Sequence, residues 1–598
     1  MLDTGSKKAG VCLEQRLLPL AITNSDFGNQ ALPVALPACP SCSRNKEGLA
    51  AMTAPSLSEN PRQDDRDGLI ELLRVADTWA RARDFVVPLG LHASRQAGRL
   101  EIVITALDPN MPGPTSIAVT SPSSAALSVL AGARRIRWVA TDLVATATVL
   151  AEEGLRLRNA MCLSLTERAL DAYHGVIPEA APATGVPLSH RYSSVCGRFE
   201  SADDGPGVES LVRLDSVNAL LAAEMNAAGI GWDSAGHERL LGELLHKPRR
   251  RDPYPRLTKL DRDIAKALGA SRTEWWRQLH QGRLHDDAEA IATRVIQRLS
   301  VDNPATKLII RWLELMSVAR HGYDWAEQWV SDGRWWPVFR PFGTVSGRWV
   351  AEGGAIGLPT ELRPCVIAGP GRVLVRARLA QLEPRMLAHL SGDTQLVPLC
   401  GKDDLYRQAA GLHGADEGVV RDHLQAALRD DQSSTGRRST AILTSWFPEA
   451  MRYLGSMTLR GRTGELVRSG LGRTCTPPDP CIAAALHKPW SRRSMDERKV
   501  QVLRGAQVRA FEIQATAAEL ACVLAAEIRA ELTAPDTRVV LFDRDEFVIE
   551  TPADHVTAVE YSLPRLAERA ATAVLGTSRV RWPLVMGHGA NWAEASRK

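Results

Sequence analysis

The sequence predicts a chain of several domains in the α/β and α+β classes, on the basis of its length and its local periodicity. Its 598 residues are enough for three or four domains with sizeable hydrophobic cores. Residues 66–180 alternate between strand-like and helix-like periods, which is typical of an α/β domain. Residues 211–335 have mainly helical periods, whereas 373–379 and 539–550 are short apolar, β-branched stretches that predict buried strands.

In the first α/β part, each element follows from its own pattern. The apolar runs Phe85–Leu91, Leu100–Leu107 and Ile136–Val139 predict strands. Leu69–Ala82 and Leu143–Glu153 have apolar residues at helical spacing and predict helices. Strands and helices that alternate in this way predict a sheet covered by helices.

Composition and charge restrict the class of protein. The net charge is only +4, from 73 basic and 69 acidic residues, so charge alone does not predict nucleic-acid binding. The lone Cys39-Pro-Ser-Cys42 pair has no second pair at zinc spacing, and free thiols in a reducing cytosol are expected. No apolar run approaches the roughly 18 residues of a membrane span, and the N-terminus lacks an export signal. We therefore expect a cytoplasmic protein without membrane contact.

The stretch Val373–Asp393 is the most informative part of the chain. It begins as a strand behind Gly369-Pro370-Gly371 and changes at Gln381 to a helical period that Gly392 ends. A strand that turns directly into a helix holds the side chains at the junction rigidly. An active site would place a metal-binding carboxylate there.

This stretch resembles the first palm motif of the family A DNA polymerases, the DNA polymerase I class. The family pattern is D-Y-S-Q-I-E-L-R followed by L-A-H-L-S-G-D. Gln381, Glu383 and Arg385 match it, and residues 387–393 match the second half in full. The family's catalytic aspartate falls on Arg378.

The resemblance extends from about residue 210 to 570 and implies a specific architecture. It implies an exonuclease-like (ribonuclease H-like) N-terminal domain followed by a right-hand polymerase fold with thumb, palm and fingers. The implied divisions are a disordered N-terminal tail at 1–65, a degenerate 3′–5′ exonuclease-like domain at 66–180, a linker at 181–210, a thumb-like helical domain at 211–335, the first part of the palm at 336–400, a fingers-like segment at 401–498 and the second part of the palm at 499–598.

Three residues are assigned to nucleic acid by the resemblance. Arg348 ends a T-V-S-G-R sequence that matches the family signature T-x-x-G-R, whose arginine contacts the minor groove at the primer terminus. Gln514 opens Q-A-T-A-A-E, which is similar to the family's Q-G-T-A-A-E helix and implies contact with the template or primer. Arg385 of the first palm motif is the third residue.

The fingers helix of the family reads R-x-x-x-K-x-x-x-F-x-x-x-Y-G and binds the incoming triphosphate. Here Arg421 remains, but the lysine is Gln425, the stacking aromatic is Arg429 and the tyrosine is Ser433. The resemblance implies nucleotide-binding roles for Arg421 and for two residues of the first palm motif, Glu383 and Gln381.

Polymerase chemistry uses two divalent cations held by carboxylates from two palm strands. The sequence Asp543-Arg544-Asp545-Glu546 resembles the third palm motif, so Asp545 and Glu546 are the remnant catalytic pair, with Asp545 and Asp543 as candidate metal ligands. Arg378 has no lone pair to give to a metal. We instead expect its guanidinium to form an ion pair with Asp545 or Asp543 in the former metal site.

The exonuclease-like part lacks most of its expected acids. The family's opening D-x-E is absent from its candidate strands, and Asp142 is the one acid that matches. A single aspartate cannot hold two divalent cations. We expect this domain to be inert as a nuclease.

Three functions remain open from the sequence. The leading hypothesis is a family A polymerase homologue that binds primer–template DNA in replication or repair, with synthesis lost or very weak. The second is an active divergent DNA polymerase using Mg²⁺, and the third is a scaffold for protein partners. We expect a monomer that associates with the nucleoid, with Mg²⁺ as cofactor only if the chain is active.

Overall fold

The computed structural model describes residues 63–597 apart from 84–85, 109, 112–115, 123–126, 129, 131, 134, 178–185, 201–204, 251, 270–302, 430, 432–433 and 533–535. The predicted tail at 1–65 lies almost entirely outside these residues, as do the Cys39–Cys42 pair and Ser433. The chain divides after Ala228 into two compact units.

The first unit is a five-stranded mixed sheet with helices. Its strand order is β3-β2-β1-β4-β5, in which β1, β2 and β3 are antiparallel while β4 runs parallel to both β1 and β5. The elements are α1 (Gln63–Arg83), β1 (Val87–Gln96), β2 (Arg99–Ala106), β3 (Ser116–Thr120), β4 (Ile136–Ala140), α2 (Leu143–Glu152), β5 (Ala160–Cys162), α3 (Leu163–Tyr173), α4 (Leu188–Glu200) and α5 (Gly205–Ala228). The strands and helices predicted from the apolar patterns are confirmed.

The end of the first unit differs from the predicted division. Helix α4 lies within the segment predicted as a linker, and α5 begins inside the same segment. Helix α5, whose second half was predicted to begin the thumb, packs on α2, α3 and β5. Its buried residues Ala219, Leu220 and Ala223 lie in the core of the first unit, because they repeat at helical spacing on one face. The boundary therefore lies near residue 228 and not near 210.

The second unit begins with short strands and helices and continues into the predicted palm and fingers. Its elements up to the palm are β6 (Ile230–Gly231), α6 (Ser234–Leu245), α7 (Pro255–Ala267), α8 (Pro304–Ala319), α9 (Tyr323–Trp329), β7 (Val330–Ser331), β8 (Arg334–Trp335), β9 (Val338–Arg340), β10 (Val350–Glu352) and a 3₁₀ turn (Thr360–Cys365). From there they are β11 (Arg372–Leu379), α10 (Leu382–Ser391), α11 (Leu396–Leu399), α12 (Leu405–His413), α13 (Glu417–Leu428), α14 (Ser434–Trp446), α15 (Pro448–Thr463), α16 (Pro480–His487), α17 (Met495–Arg509), α18 (Phe511–Glu531), β12 (Arg538–Asp543), β13 (Glu546–Pro552), α19 (Val556–Leu575), β14 (Leu584–Gly589) and α20 (Trp592–Ala595), with further 3₁₀ turns at Trp490–Arg492 and Ala553–His555.

The palm sheet is antiparallel and has the order β12-β13-β11-β14. Its central strand β11 turns into α10 at Gln381, as predicted, and Gly392 ends the helix in a left-handed conformation with φ of 64°. Strands β12 and β13 form the predicted hairpin, in which Asp543 pairs with Glu546 around the turn Arg544–Asp545. Within the part of the chain that the structure describes, no helix is both long and apolar enough to span a membrane.

Candidate nucleic-acid interface

A cleft of about 1380 Å³ opens in the second unit, between the palm sheet, the fingers helices α12 and α13, and the helices α18 and α19. Most of the predicted site residues line it, namely Arg348, Arg378, Gln381, Glu383, Arg421, Gln514 and Asp545, together with Gln425 and Arg429. Three predicted site residues do not line it: Arg385, Asp543 and Glu546. The strand-to-helix junction and the hairpin tip, which are distant in sequence, are thus brought together.

Arg378 lies near the end of β11, where its Cα pairs with those of Glu546 and Val585. Its side chain is exposed. The predicted ion pair with Asp545 or Asp543 is not formed, because no acid among the described residues comes within 4.0 Å of the Arg378 guanidinium. An exposed guanidinium gains little from a carboxylate in water, and Asp543 already has other partners.

Glu546 is the acid that does form a buried ion pair, but with Arg376. Arg376 Nε and Nη2 both lie 2.8 Å from its two carboxylate oxygens, and Trp592 Nε1 donates to it at 2.7 Å. Burial raises the pKa of Glu546, but the hydrogen bonds and charge of Arg376 outweigh it and hold the pKa below its usual value. Glu546 is only 5% exposed. The hydrogen bonds from Arg376 and Trp592 give Glu546 a structural role, and its catalytic role stays a prediction.

The two aspartates of the hairpin differ in their surroundings. Asp543 accepts a hydrogen bond from the Gly357 amide at 3.0 Å and lies 3.7 Å from Arg544 Nε, and burial raises its pKa. Asp545 faces the cleft, and burial raises its pKa to about 7 although the charge of Arg378 opposes the shift. Burial therefore favours the protonated form of Asp545, which weakens it as a metal ligand.

These residues do not fit the two-cation arrangement expected of a polymerase. Position 378 carries a guanidinium, Glu546 is paired with Arg376, and Asp543 is turned toward Gly357. Among the described residues, no group of three or more His, Cys, Asp or Glu side chains is placed to hold a metal ion. Two divalent cations need several oxygen ligands, and Asp545 alone does not supply them.

Arg348 is held at the edge of the cleft by its own turn and by Glu383. The Thr344 hydroxyl accepts a hydrogen bond from the Arg348 amide at 2.9 Å, and Gly347 takes the positive φ of 81° that this turn needs. The Arg348 guanidinium forms an ion pair with Glu383. Gln514 lines the same cleft from α18. The turn and helix predicted to carry the two minor-groove residues thus meet at one opening.

Arg385, predicted to bind nucleic acid, is instead a framework residue. It is 0% exposed. Its guanidinium donates to the backbone carbonyls of Cys400, Lys402, Asp403 and Arg581 at 2.7–3.0 Å. These contacts hold the buried guanidinium within the protein, and the nucleic-acid-binding role of Arg385 stays a prediction.

Gln381 belongs to the same framework although it also lines the cleft. Its side-chain amide donates to Asp404 at 2.9 Å, and its side-chain oxygen accepts from Arg385 at 3.1 Å. Asp404 also caps the start of α12 by accepting from the amides of Tyr406 and Arg407. The nucleotide-binding role of Gln381 stays a prediction.

On the fingers side, α13 brings Arg421 and Gln425 to the cleft from successive turns. Among the described residues, the charged partner of Arg421 is its exposed chain neighbour Asp422, at 3.8 Å. Helix α13 ends at Leu428, so Arg429 lies at its C-cap and not on a continuous face as the family spacing implies. The run of polar residues that follows explains the early end.

Several residues of the matching motifs have structural roles that sequence reasoning missed. Asp393 is fully buried and accepts from the amides of Gln395, Leu396 and Ala450, which joins two helix starts. Glu519 accepts from Ser469 and from the Leu471 amide. Arg376 could have been noticed, because an arginine inside an apolar strand needs a partner.

In the first unit, Asp142 is a helix cap. Its carboxylate accepts from the Ala145 amide at 3.1 Å at the start of α2. The candidate strand residues Leu89, Gly90 and Leu91 lie on β1 and carry no acid. The absence of nuclease activity stays a prediction.

Comparisons with known proteins agree on one class. DNA polymerase I of Thermus filiformis is 23% identical over 338 residues, which is 51% of this chain and 38% of that protein. DNA polymerase I of Deinococcus radiodurans is 25% identical over 258 residues, 39% of this chain and 25% of that protein. The chain thus spans well under half the length of these curated relatives. No family model matches the sequence.

The fold agrees with these relatives. The POL domain of Pol1 from M. smegmatis, solved with DNA primer-template and dNTP, superimposes with a TM-score of 0.62 at 16% identity. The match covers 87% of this chain and 98% of that one. The right-hand polymerase fold predicted from the sequence is confirmed, and with it the resemblance on which the prediction was based: this chain is similar to the DNA polymerase I proteins of family A.

Proposed function

We propose that this chain binds primer–template DNA in the cleft of the second unit and that template-directed synthesis is lost or very weak. The observation that carries the proposal is that one cleft keeps residues resembling DNA-contacting ones but lacks free carboxylates for two cations. Arg348 and Gln514, which resemble DNA-contacting residues, face the opening. The carboxylates needed for two cations are replaced, at Arg378, or tied to the protein, at Glu546. Residues that resemble DNA-contacting ones are thus retained where the residues that would bind metal are not.

A second function, that of an active divergent DNA polymerase, is favoured by Asp545. Its carboxylate faces the cleft, and one or two carboxylates together with substrate phosphates can bind a single Mg²⁺. The fingers oppose this function, since Gln425 cannot supply the positive charge of the family's lysine. A role in replication or repair is part of the proposal, and a scaffold for protein partners is its competitor.

Two assays on one preparation test the proposal. Fluorescence anisotropy with labelled primer–template at several salt concentrations should show binding that weakens as salt rises, because phosphate contacts release counterions. Primer extension with Mg²⁺ and with Mn²⁺ should give no product on the timescale of an active polymerase. Extension on that timescale, abolished by Asp545→Ala, would instead support the active divergent polymerase. Absence of both binding and extension would support the scaffold.

Arg348→Ala tests the minor-groove assignment directly. A lost contact to a base edge costs about 1–3 kcal/mol, so affinity should fall roughly 5- to 150-fold. Asp545→Ala, which removes a charge from the same cleft, is the matched control and should not weaken binding. Equal affinity of wild type and Arg348→Ala would refute the assignment.

A further inference from the structure

The cleft holds an arginine for which the polymerase-like motifs provide no role. Arg378 stands where the resemblance implies a metal-binding aspartate, its side chain is exposed in the cleft, and the described residues give it neither a hydrogen bond nor an ion pair. A guanidinium is always charged and presents five N–H donors. A fixed positive charge therefore occupies the region where a polymerase would place its cations.

The acids around this position are already engaged. Glu383 pairs with Arg348, and Glu546 pairs with Arg376. Asp543 accepts from the Gly357 amide. The same holds at the fingers edge of the cleft, where the acids have partners of their own: Asp403 with Arg581 at 3.4 Å, Asp404 with Gln381 at 2.9 Å, and Glu417 with Arg407 at 3.0 Å. Asp545 is close enough to interact electrostatically with Arg378 but does not bond to it. Arg378 is thus left available to an anion from outside the chain.

A second arginine reaches the cleft from the opposite side. Arg421 on α13 is exposed, and within the described part of the chain its ion pair is the weak contact with Asp422 at 3.8 Å. Tyr406 lines the same cleft, and burial raises the pKa of its hydroxyl to about 12 although the charges of Arg421 and Arg378 oppose the shift. Two guanidinium groups from the palm and the fingers that line one cleft are suited to the several oxygens of a phosphate group.

We propose that Arg378, with Arg421, binds a phosphate group directly and so replaces the divalent cations at this site. The inference rests on the proposed function, because it places the phosphate of a bound nucleic acid or nucleotide in the same cleft. The phosphate has two possible sources with the same chemistry, the backbone of primer–template DNA or the triphosphate of a free nucleotide. Binding at this site needs no metal ion.

The experiment measures both sources in the presence of EDTA. One arm is anisotropy of labelled primer–template, and the other is calorimetry with a deoxynucleoside triphosphate. Wild type should bind at least one probe in EDTA, with affinity changed less than about threefold when Mg²⁺ replaces EDTA. Hydrogen bonds to charged groups predict a loss of roughly 10- to 100-fold in Arg378→Ala. Arg378→Lys keeps the charge but not the planar fork, and should lose part of that affinity.

The control is Arg99→Ala, which removes one positive charge from an exposed position at the start of β2 in the first unit. It should bind as wild type does. If Arg378→Ala also binds both probes as wild type does, the inference is overturned while the proposed function stands. If wild type binds the triphosphate through Arg378 but does not bind DNA, the proposed function fails and the inference stands. Binding that requires Mg²⁺ in both arms refutes the direct phosphate contact.

Discussion

The buried pair Arg376–Glu546 gives the clearest test of whether the third palm motif still serves chemistry. The change is Glu546→Ala. If Glu546 acted on substrate, the variant would fold normally and lose activity. Because both of its oxygens are bound inside the protein, we expect a loss of stability instead.

The magnitude follows from what the variant leaves behind. Arg376 is 6% exposed and would lose both of its 2.8 Å contacts, leaving a buried charge without a counter-ion. Breaking a buried pair from one side costs about 3–5 kcal/mol. Trp592 would also lose the acceptor of its indole N–H. Against a typical total of about 5–15 kcal/mol, such a loss is large.

The assay is urea unfolding of the full chain followed by tryptophan fluorescence. The double variant Arg376→Met with Glu546→Leu removes both charges and should recover most of the stability, since apolar residues of similar volume often replace a buried pair without cost. Because the pair holds the pKa of Glu546 below its usual value, its contribution is present above about pH 4.5 and lost as pH falls further. A midpoint for Glu546→Ala equal to that of wild type would refute the reasoning.

Three further predictions concern single residues. Arg385→Lys should lower the thermal midpoint of unfolding, because an ammonium cannot reach four carbonyls. The same variant should leave the DNA affinity of the folded protein unchanged. A weaker affinity at an unchanged midpoint would contradict the framework role. Asp545 has a pKa raised to about 7, so the folded state holds a proton that the unfolded chain releases, and stability should fall as pH rises from about 4 to 7. Asp545→Asn should remove this pH dependence of stability in urea titrations. A variant with the same pH profile as wild type would argue against the raised pKa of Asp545. Asp142→Ala should lower the free energy of unfolding by about 1 kcal/mol, because the helix cap is lost. Neither the variant nor wild type should trim labelled single strands with Mg²⁺ or Mn²⁺. Trimming by wild type that the variant lacks would show a nuclease.

The secondary structure and the palm junction could be predicted because they depend on local pattern. The change of period at Gln381 and the stop at Gly392 lie where the structure has them. The cleft could be predicted only through the resemblance. The roles of Arg385 and Glu546 could not, since each depends on partners distant in sequence, such as the Arg581 carbonyl and the Trp592 indole.

The predicted ion pair of Arg378 failed for a related reason. Sequence reasoning placed the charges of Arg378 and Asp545 near each other. In the structure the charge of Arg378 acts against the rise in the pKa of Asp545. It could not foresee that Arg376, two residues earlier on the same strand, would be the buried arginine, or that Arg378 would remain exposed. Of the two arginines, the buried Arg376 forms the ion pair, because a buried charge needs a partner and an exposed one gains little from it.

The buried carboxylate of Asp393 has a consequence for the recognition of such proteins. It ends the seven-residue match L-A-H-L-S-G-D, and it is held by backbone amides from two helix starts. Selection for a stable scaffold alone would preserve such a residue, whether or not nucleotides are ever joined. The motif is therefore a marker of architecture. Genome surveys that count polymerases should score the residues aligned with Arg378 and Gln425 separately from the motif around them.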